Sequence, residues 1–592
     1  MSSDLDVLIV AFGPVQGLVS ASRKTKDLAR GSALMSMLVA AAADAGDRLG
    51  VNVVVPPPGR RAAEGLSNKL VLLVAAGTGH LVGGQLRTAA ERRLQAIANE
   101  TLKRCPSGSI DETTYIRQVG SFLECYWASA PLVGDDFGAS RAVAEERLDG
   151  RKALRDFGPY VGVPDRDKAS ADGRFEGVMD AEQRKRVRTR FPAATRDTEQ
   201  VDAIGLIRRL WAGFDQQAVP STVGFATRSW FEGMRANAKG QAALKTVDSA
   251  RSELLARAEA VSGDRIDLDG ADEWDWVLEE PLQRGRELET ELSTLSSGTI
   301  PPELGQAMQD YNRACDDARA VGKELDLRSS PYYAVISADG DRMGKAFAAQ
   351  KSSVSQQHAS ESLAQFGDTL RQRTAGDGVH IVYAGGDDLL AFAPLDAALP
   401  FVTEVRRAFK AAAQAFESQP SISIGVAIVH CQERLGEALR LARVAEGHAK
   451  EAGRPTLIGH TCLLLSKRGG ADLWVVQPST DDNDTSFHGL VNAVRTGSIP
   501  RGAAHDVRDL GRRLVQVDDV SVAIHEIRRV LTRKRDQRNK ELDAATVNGL
   551  LDLSGIAAAH NSRVLERGCE RLSVLLRIAL HFAEHSSLGA HT

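Results

Sequence analysis

The 592-residue sequence predicts an α+β chain of three or four domains, because a single hydrophobic core does not grow to that length. Two observations carry the prediction. Short apolar runs of strand length cluster in two separate regions, near the N-terminus and between Pro331 and Val429. Elsewhere the apolar residues recur at helical spacing.

Taken in order, the run VLIVAF at residues 7–12 reads as a strand ending at Gly13-Pro14, with a helical pattern beyond it through Ala33 to Leu38. KLVLLVAAG from Lys69 suits a further strand. From Thr88 to about Ala130, and again from Asp180 to Leu325, the pattern is mainly helical; Pro56 to Gly59 and Ser296 to Pro302 read as loops. At Pro331 strand texture returns, with YYAVIS, VHIVY from Val379, LLAFAP from Leu389 and SISIGVAIV from Ser421. Helical segments Ser355 to Arg373 and Asp396 to Phe416 lie between them, giving the order βαββαβ of a ferredoxin-like sheet with helices on one face. A polar stretch from Pro478 to Ser486 ends that domain, and the remainder is helical throughout. The expected domains are a degenerate first ferredoxin-like unit over residues 1–150, a mainly helical domain over 151–327, a second ferredoxin-like unit over 328–478 and a helical bundle over 479–592.

Apolar residues make up 43% and charged residues 26% of the chain, as in ordinary globular proteins. No segment offers about 18 uninterrupted apolar residues and the N-terminus has no leader pattern, so a cytoplasmic protein without a membrane partner is expected. The six cysteines are scattered without a C-x-x-C pair and read as buried thiols. With a net charge of −4, nucleic acid would have to be met by local basic patches. Gln183 to Arg190 and Arg528 to Lys540 are the two candidates, against the alternative that each is a solvated helix face.

The strongest chemical signal is Gly385-Gly386-Asp387-Asp388 between two strand-like runs. Gly-Gly permits a tight turn and leaves the backbone bare for a substrate, while two carboxylates sit at the rim. Alone, this pattern equally describes a solvated hairpin tip. Asp339-Gly340-Asp341 ends the strand that should lie beside this hairpin, which would bring four carboxylates to adjacent strand ends. Such a cluster repels itself unless cations neutralise it, and Mg²⁺ or Mn²⁺ is the natural partner. Two ions there suit phosphoryl transfer. The amides of Arg342 and Gly344 open a helix that could receive phosphate oxygens. Lys450 and Arg454 close a later helix, where they either satisfy its dipole or neutralise phosphates.

In their order, ADGD, GGDD, SISIGVA and AKEAGR resemble the GGDEF-type nucleotide cyclase palm, and GGDD resembles the version in the large subunit of type III CRISPR complexes. The segment Phe12 to Leu38, KASADG from Lys168, DAIGLIRRL from Asp202 and PSTVGFAT from Pro220 resemble the Cmr-type branch of that family. The resemblance implies two adjacent palms, the first degenerate, and an active palm that makes cyclic oligoadenylates from ATP when guide RNA pairs with target RNA. It implies Asp339, Asp387 and Asp388 as metal-holding catalytic residues for two Mg²⁺ or Mn²⁺ ions, assisted by the Gly340 backbone, with Gly385 and Gly386 shaping the turn and Asp341 as a helper. The implied partners are the backbone, guide 5′-end-binding and small subunits, with guide and target RNA. A non-catalytic scaffold and a stand-alone dinucleotide cyclase are the alternative readings. Many relatives begin with a His-Asp nuclease domain; here the His505-Asp506 dipeptide lies in the C-terminal helical region, so no DNase activity is expected. Ala169 stands where relatives carry a cysteine, so no zinc is expected.

Overall fold

A computed structural model describes residues 4–57, 66–134, 136–154, 162–163, 166–191, 194–195, 198–214, 219–262, 275–278, 285–286, 288–290, 292–293, 299–373, 376–456, 458–514, 516–517, 519–534 and 541–586. Two sheets organise it. The first has four antiparallel strands, β1 (Leu5–Gly13), β2 (Asn52–Val55), β3 (Lys69–Ala75) and β4 (Glu124–Pro131), in the order β2-β3-β1-β4. The second has six, β5 (Tyr332–Gly340), β6 (His380–Gly385), β7 (Asp388–Pro394), β8 (Ile422–His430), β9 (His460–Leu465) and β10 (Leu473–Pro478), in the order β10-β9-β8-β5-β7-β6. Reading β6-β7-β5-β8 against β2-β3-β1-β4 gives the same ferredoxin-like order, so the chain does contain the predicted repeat.

Three details depart from the sequence expectation. β4 lies in a stretch expected to be helical; its ECYWASAP is poor in β-branched residues, and its strand form is set by pairing along β1 from Asp6↔Pro131 to Gly13↔Glu124. β9 and β10 widen the second sheet, with β9 parallel to β8 and the helix Leu435–Thr456 as the crossover that parallel pairing requires. Helices also cover both faces of each sheet. In the first, Leu8, Val10 and Phe12 face the helices Thr25–Arg48 and Gly79–Arg104, while Val7, Ile9 and Ala11 face Phe137–Ala153. Near-continuous apolar strands such as VLIVAF are the signature of that two-sided burial.

The stretch over 151–327 does not close on a core of its own. Val178 to Phe214 join the core of the first palm, Phe225 and Ala226 join Tyr333 and Phe392 under the second, and the helices Ala238–Ser262 and Pro302–Glu324 form a separate core. The C-terminal helices share one continuous core with the second palm, from Ile336 and Val426 to Leu572 and Phe582. By length and composition Thr25–Arg48 passes as a membrane span, but Asp27, Asp44 and Asp47 interrupt it and its Leu34, Leu38 and Val39 are buried in the first core. All six cysteines are free and buried, as expected.

Candidate active site

The acidic residues meet where the two palms face each other. β5 ends at Gly340 beside the hairpin between β6 and β7, and the Gly340 amide donates to the Asp387 carbonyl at 3.2 Å. Gly386 turns the hairpin with φ +68°, a conformation that favours glycine. The Tyr383 hydroxyl donates to the Gly385 carbonyl at 3.0 Å and braces the turn. A Cβ at Gly340 would lie 2.9 Å from that of Asp387, so this glycine is what lets the strand end approach the hairpin.

Burial, then the neighbouring Asp339 carboxyl and the charges of Asp387 and Glu446, push Asp388 well above the carboxylate range. Asp388 is exposed at the rim of the hairpin, where solvent screens these charges. Asp387 is pushed up to about 6, by burial first and by Asp339 second. The same three aspartates, after burial, push the Tyr383 phenol up.

Lys450 reaches this cluster from the helix Leu435–Thr456. Its ammonium pairs with Asp339 and, at 3.1 Å, with Glu446. Burial works against the Lys450 charge, yet the Asp339 hydrogen bond and the two carboxylates raise its pKa. Glu446 in turn accepts from the Ser337 hydroxyl at 2.5 Å. Sequence reasoning missed Glu446, although its place one turn before Lys450 in AEGHAK was a signal for it.

Asp341 is not part of the shared cluster. Its two oxygens accept from the hydroxyls of Ser421 at 2.6 Å and Ser423 at 2.7 Å, which ties the end of β5 to the start of β8. Arg342 takes a left-handed φ of +59° and donates to the Arg454 carbonyl at 2.7 Å. The helix it opens, Met343–Ala348, has six residues, too short a stack of peptide dipoles for the anion site expected there. Arg342, Lys345, Lys450 and Arg454 instead line a cleft of about 470 Å³ beside Asp339. Gly344, Gly385, Gly386 and Asp387 line a second cleft of about 300 Å³, walled across the palm interface by Lys69 and Arg141. Asp388 and Glu446 also edge a third cavity of about 430 Å³, whose far wall is Val15, Met35 and Asn68 of the first palm.

The two basic runs are partly consumed by internal contacts. Arg184 pairs with Gln200, Arg186 with the Gly108 carbonyl, and Arg190 lies over Phe191. In the second run Arg528 bonds Asn548, Arg529 pairs with Glu526 and Lys534 with Asp506; residues 535–540 lie outside the described residues. Asp506 of the His-Asp dipeptide is thus an ion-pair partner.

Fold and site together define a double-palm protein with clustered carboxylates at the strand ends of one palm. Residues 332–458 match the family model for Cas10/Cmr2, second palm domain, and residues 7–99 that for CRISPR-associated protein Cmr2, N-terminal. Both models describe domains of the Cas10/Cmr2 family, and the matched segments are similar to its Cmr-type members. It is 27% identical over 256 residues to the CRISPR system Cmr subunit Cmr2 of Pyrococcus furiosus, a match covering 37% of this chain and 27% of that protein. The matched part is thus about a quarter of the curated relative's length. Two cryo-EM structures of type III-B Cmr-beta share the fold at 12% identity and a TM-score of 0.57. The apo state covers 91% of this chain and 77% of its own, and the state bound to cognate target RNA covers 92% and 80%.

Proposed function

We propose that this chain is the large subunit of a cytoplasmic type III CRISPR effector complex that makes cyclic oligoadenylates from ATP when target RNA is bound. The observation that carries the reading is the meeting of Asp339, Asp387 and Asp388 at adjoining strand ends, with Asp387 and Asp388 pushed towards protonation. A purely structural chain gains nothing from carboxyls held in mutual repulsion.

The donor set fits Mg²⁺ or Mn²⁺. Among the described residues no three His, Cys, Asp or Glu side chains stand close enough to hold an ion unaided. The carboxyls of Asp387 and Asp388 are nevertheless pushed up by burial and by the charge of Asp339, and a divalent cation is the partner that neutralises such a cluster when it is ionised. Asp339, Asp387, Asp388 and the Gly340 backbone would hold two ions, with phosphate oxygens completing the shell. Bound there, the ions supply Lewis-acid activation of a ribose 3′-hydroxyl and charge neutralisation on pyrophosphate.

The chain's own groups account for the rest. Bare backbone at Gly385 and Gly386 admits a substrate over the hairpin, and Lys450 and Arg454 face the cleft where leaving-group charge would develop. In each transfer the 3′ oxygen bonds to the α-phosphorus of the next ATP while the bond to the β-phosphate breaks, and a final transfer closes the ring. Guide and target RNA with the backbone, guide 5′-end-binding and small subunits are the partners in this reading. The reconstituted complex, given ATP, Mg²⁺ and target RNA, is expected to form cyclic product. Asp387→Ala/Asp388→Ala is expected to reduce it by a factor on the order of a hundred or more. Equal product from both would overturn the proposal.

A further inference from the structure

The Lys450 ammonium stands on the carboxylate that the reading above gives to a divalent ion. It is placed there by a chain of contacts: Ser337 on β5 donates to Glu446 at 2.5 Å, and Glu446 holds Lys450 at 3.1 Å from one helical turn away. Glu446 is itself fixed in depth, because its backbone nitrogen would lie 2.2 Å from a Cβ on Gly425 of β8. The Glu446 side chain keeps 16% of its surface exposed and that of Lys450 34%, so the anchor is enclosed while the ammonium can swing. The direction it can swing is open, since Lys450 also lines the basic cleft with Arg342, Lys345 and Arg454.

Resting on that functional reading, we propose that Lys450 is a resident counter-ion that competes with the divalent cation for Asp339 and is drawn off by the triphosphate of an incoming nucleotide. An ammonium and a divalent ion cannot share the same carboxylate oxygen without strong repulsion. A polyphosphate in the neighbouring cleft offers Lys450 another anionic partner, freeing Asp339. Metal and nucleotide therefore bind with positive coupling, each tightening the other. Without nucleotide, the acidic cluster stays neutralised by the protein itself.

The test uses Mn²⁺ alone, without nucleotide, titrated into the full chain while free Mn²⁺ is followed by electron paramagnetic resonance. Native protein, Lys450→Met and Lys345→Met are compared, with circular dichroism confirming the fold of each. Lys345 is the control because it brings the same charge to the same cleft without an ion pair to Asp339. Lys450→Met is expected to bind Mn²⁺ on the order of tenfold more tightly than native, and Lys345→Met to stay within about twofold. If Lys450→Met binds no more tightly than native, the competition is overturned while the metal reading stands. Equal gains from both variants overturn the claim that position matters. If no form binds Mn²⁺, the metal reading and the competition fall together.

Discussion

Asp387 shows how a single residue reports the state of the cluster. Burial and the charge of Asp339 push its carboxyl up to about 6 from an ordinary 3.8. Because the folded value exceeds the unfolded one, the folded chain binds the extra proton, and the contribution to stability is complete below about 4 and is lost as pH rises through about 6. Asp387→Asn removes that loss. In chelator, the variant is expected to melt a few degrees above native near pH 7.5 and level with it below about pH 4, since about 1 kcal/mol moves the transition of a large chain by ~2–4 °C. A parallel pH dependence in both proteins would mean that Asp387 is not held against its charge. The identity of these residues was legible in GGDD and DGD, because glycine next to paired carboxylates restricts what the turn can be. The role of Asp341 was not, since Ser421 and Ser423 reach it from a strand some 80 residues away.

At the scale of elements, the site depends on how closely the helix Leu435–Thr456 lies on β8. Gly425 sets that distance: an added Cβ would meet the backbone nitrogen of Glu446 at 2.2 Å and the carbonyl oxygen of Ala442 at 2.5 Å. Neither atom belongs to a flexible side chain, so the helix must lift, carrying Glu446 and Lys450 away from Asp339. Gly425→Ala is expected to cost about 1–3 kcal/mol in denaturant unfolding and to lower cyclic product by roughly tenfold or more. Unchanged product from a destabilised variant would separate the helix position from the chemistry. SISIGVAIV announces β8 by its alternation, and the helix after it by its spacing. That the glycine marks a contact was invisible, because a strand glycine reads the same whether it faces a backbone or open space. β4 was illegible for a related reason: Cys125, Ala128 and Ala130 carry weak strand preference, and the long-range pairing with β1 decides their conformation.

Across the whole molecule, the site exists because two like-folded units face one another, and the helix Phe137–Ala153 is one of the elements that join them, beside the helix Ser353–Arg373 on β2 and Thr25–Arg48 on β6. Its N-terminus meets the second palm at Phe137, whose amide donates to the Lys351 carbonyl at 2.7 Å. Gly138 sits where a Cβ would lie 2.1 Å from the Ala348 carbonyl oxygen. One turn on, Arg141 is buried, lies 4.0 Å over the Phe347 ring, donates to Gln356 at 2.5 Å and pairs with Glu145 at 3.2 Å. Burial lowers the Arg141 pKa against the pull of Glu145, so the guanidinium is held charged by its partners. Nothing in FGASR marks this helix as a joint, since the surface it matches is assembled more than two hundred residues later. The strand order of the second palm's βαββαβ core could be read from local pattern, but the last strand of the first palm and the facing surfaces of the two could not. Arg141→Ala leaves the Gln356 carbonyl and Glu145 without this partner and opens a gap over Phe347, at a cost of about 1–3 kcal/mol. Its distinguishing effect is on cooperativity. With the joint weakened, calorimetry is expected to separate one broad unfolding transition into an earlier step of the first palm and a later step of the second palm with the C-terminal helices, whose core is continuous. A single transition merely shifted to lower temperature would assign Arg141 to the stability of one unit rather than to the union of the two.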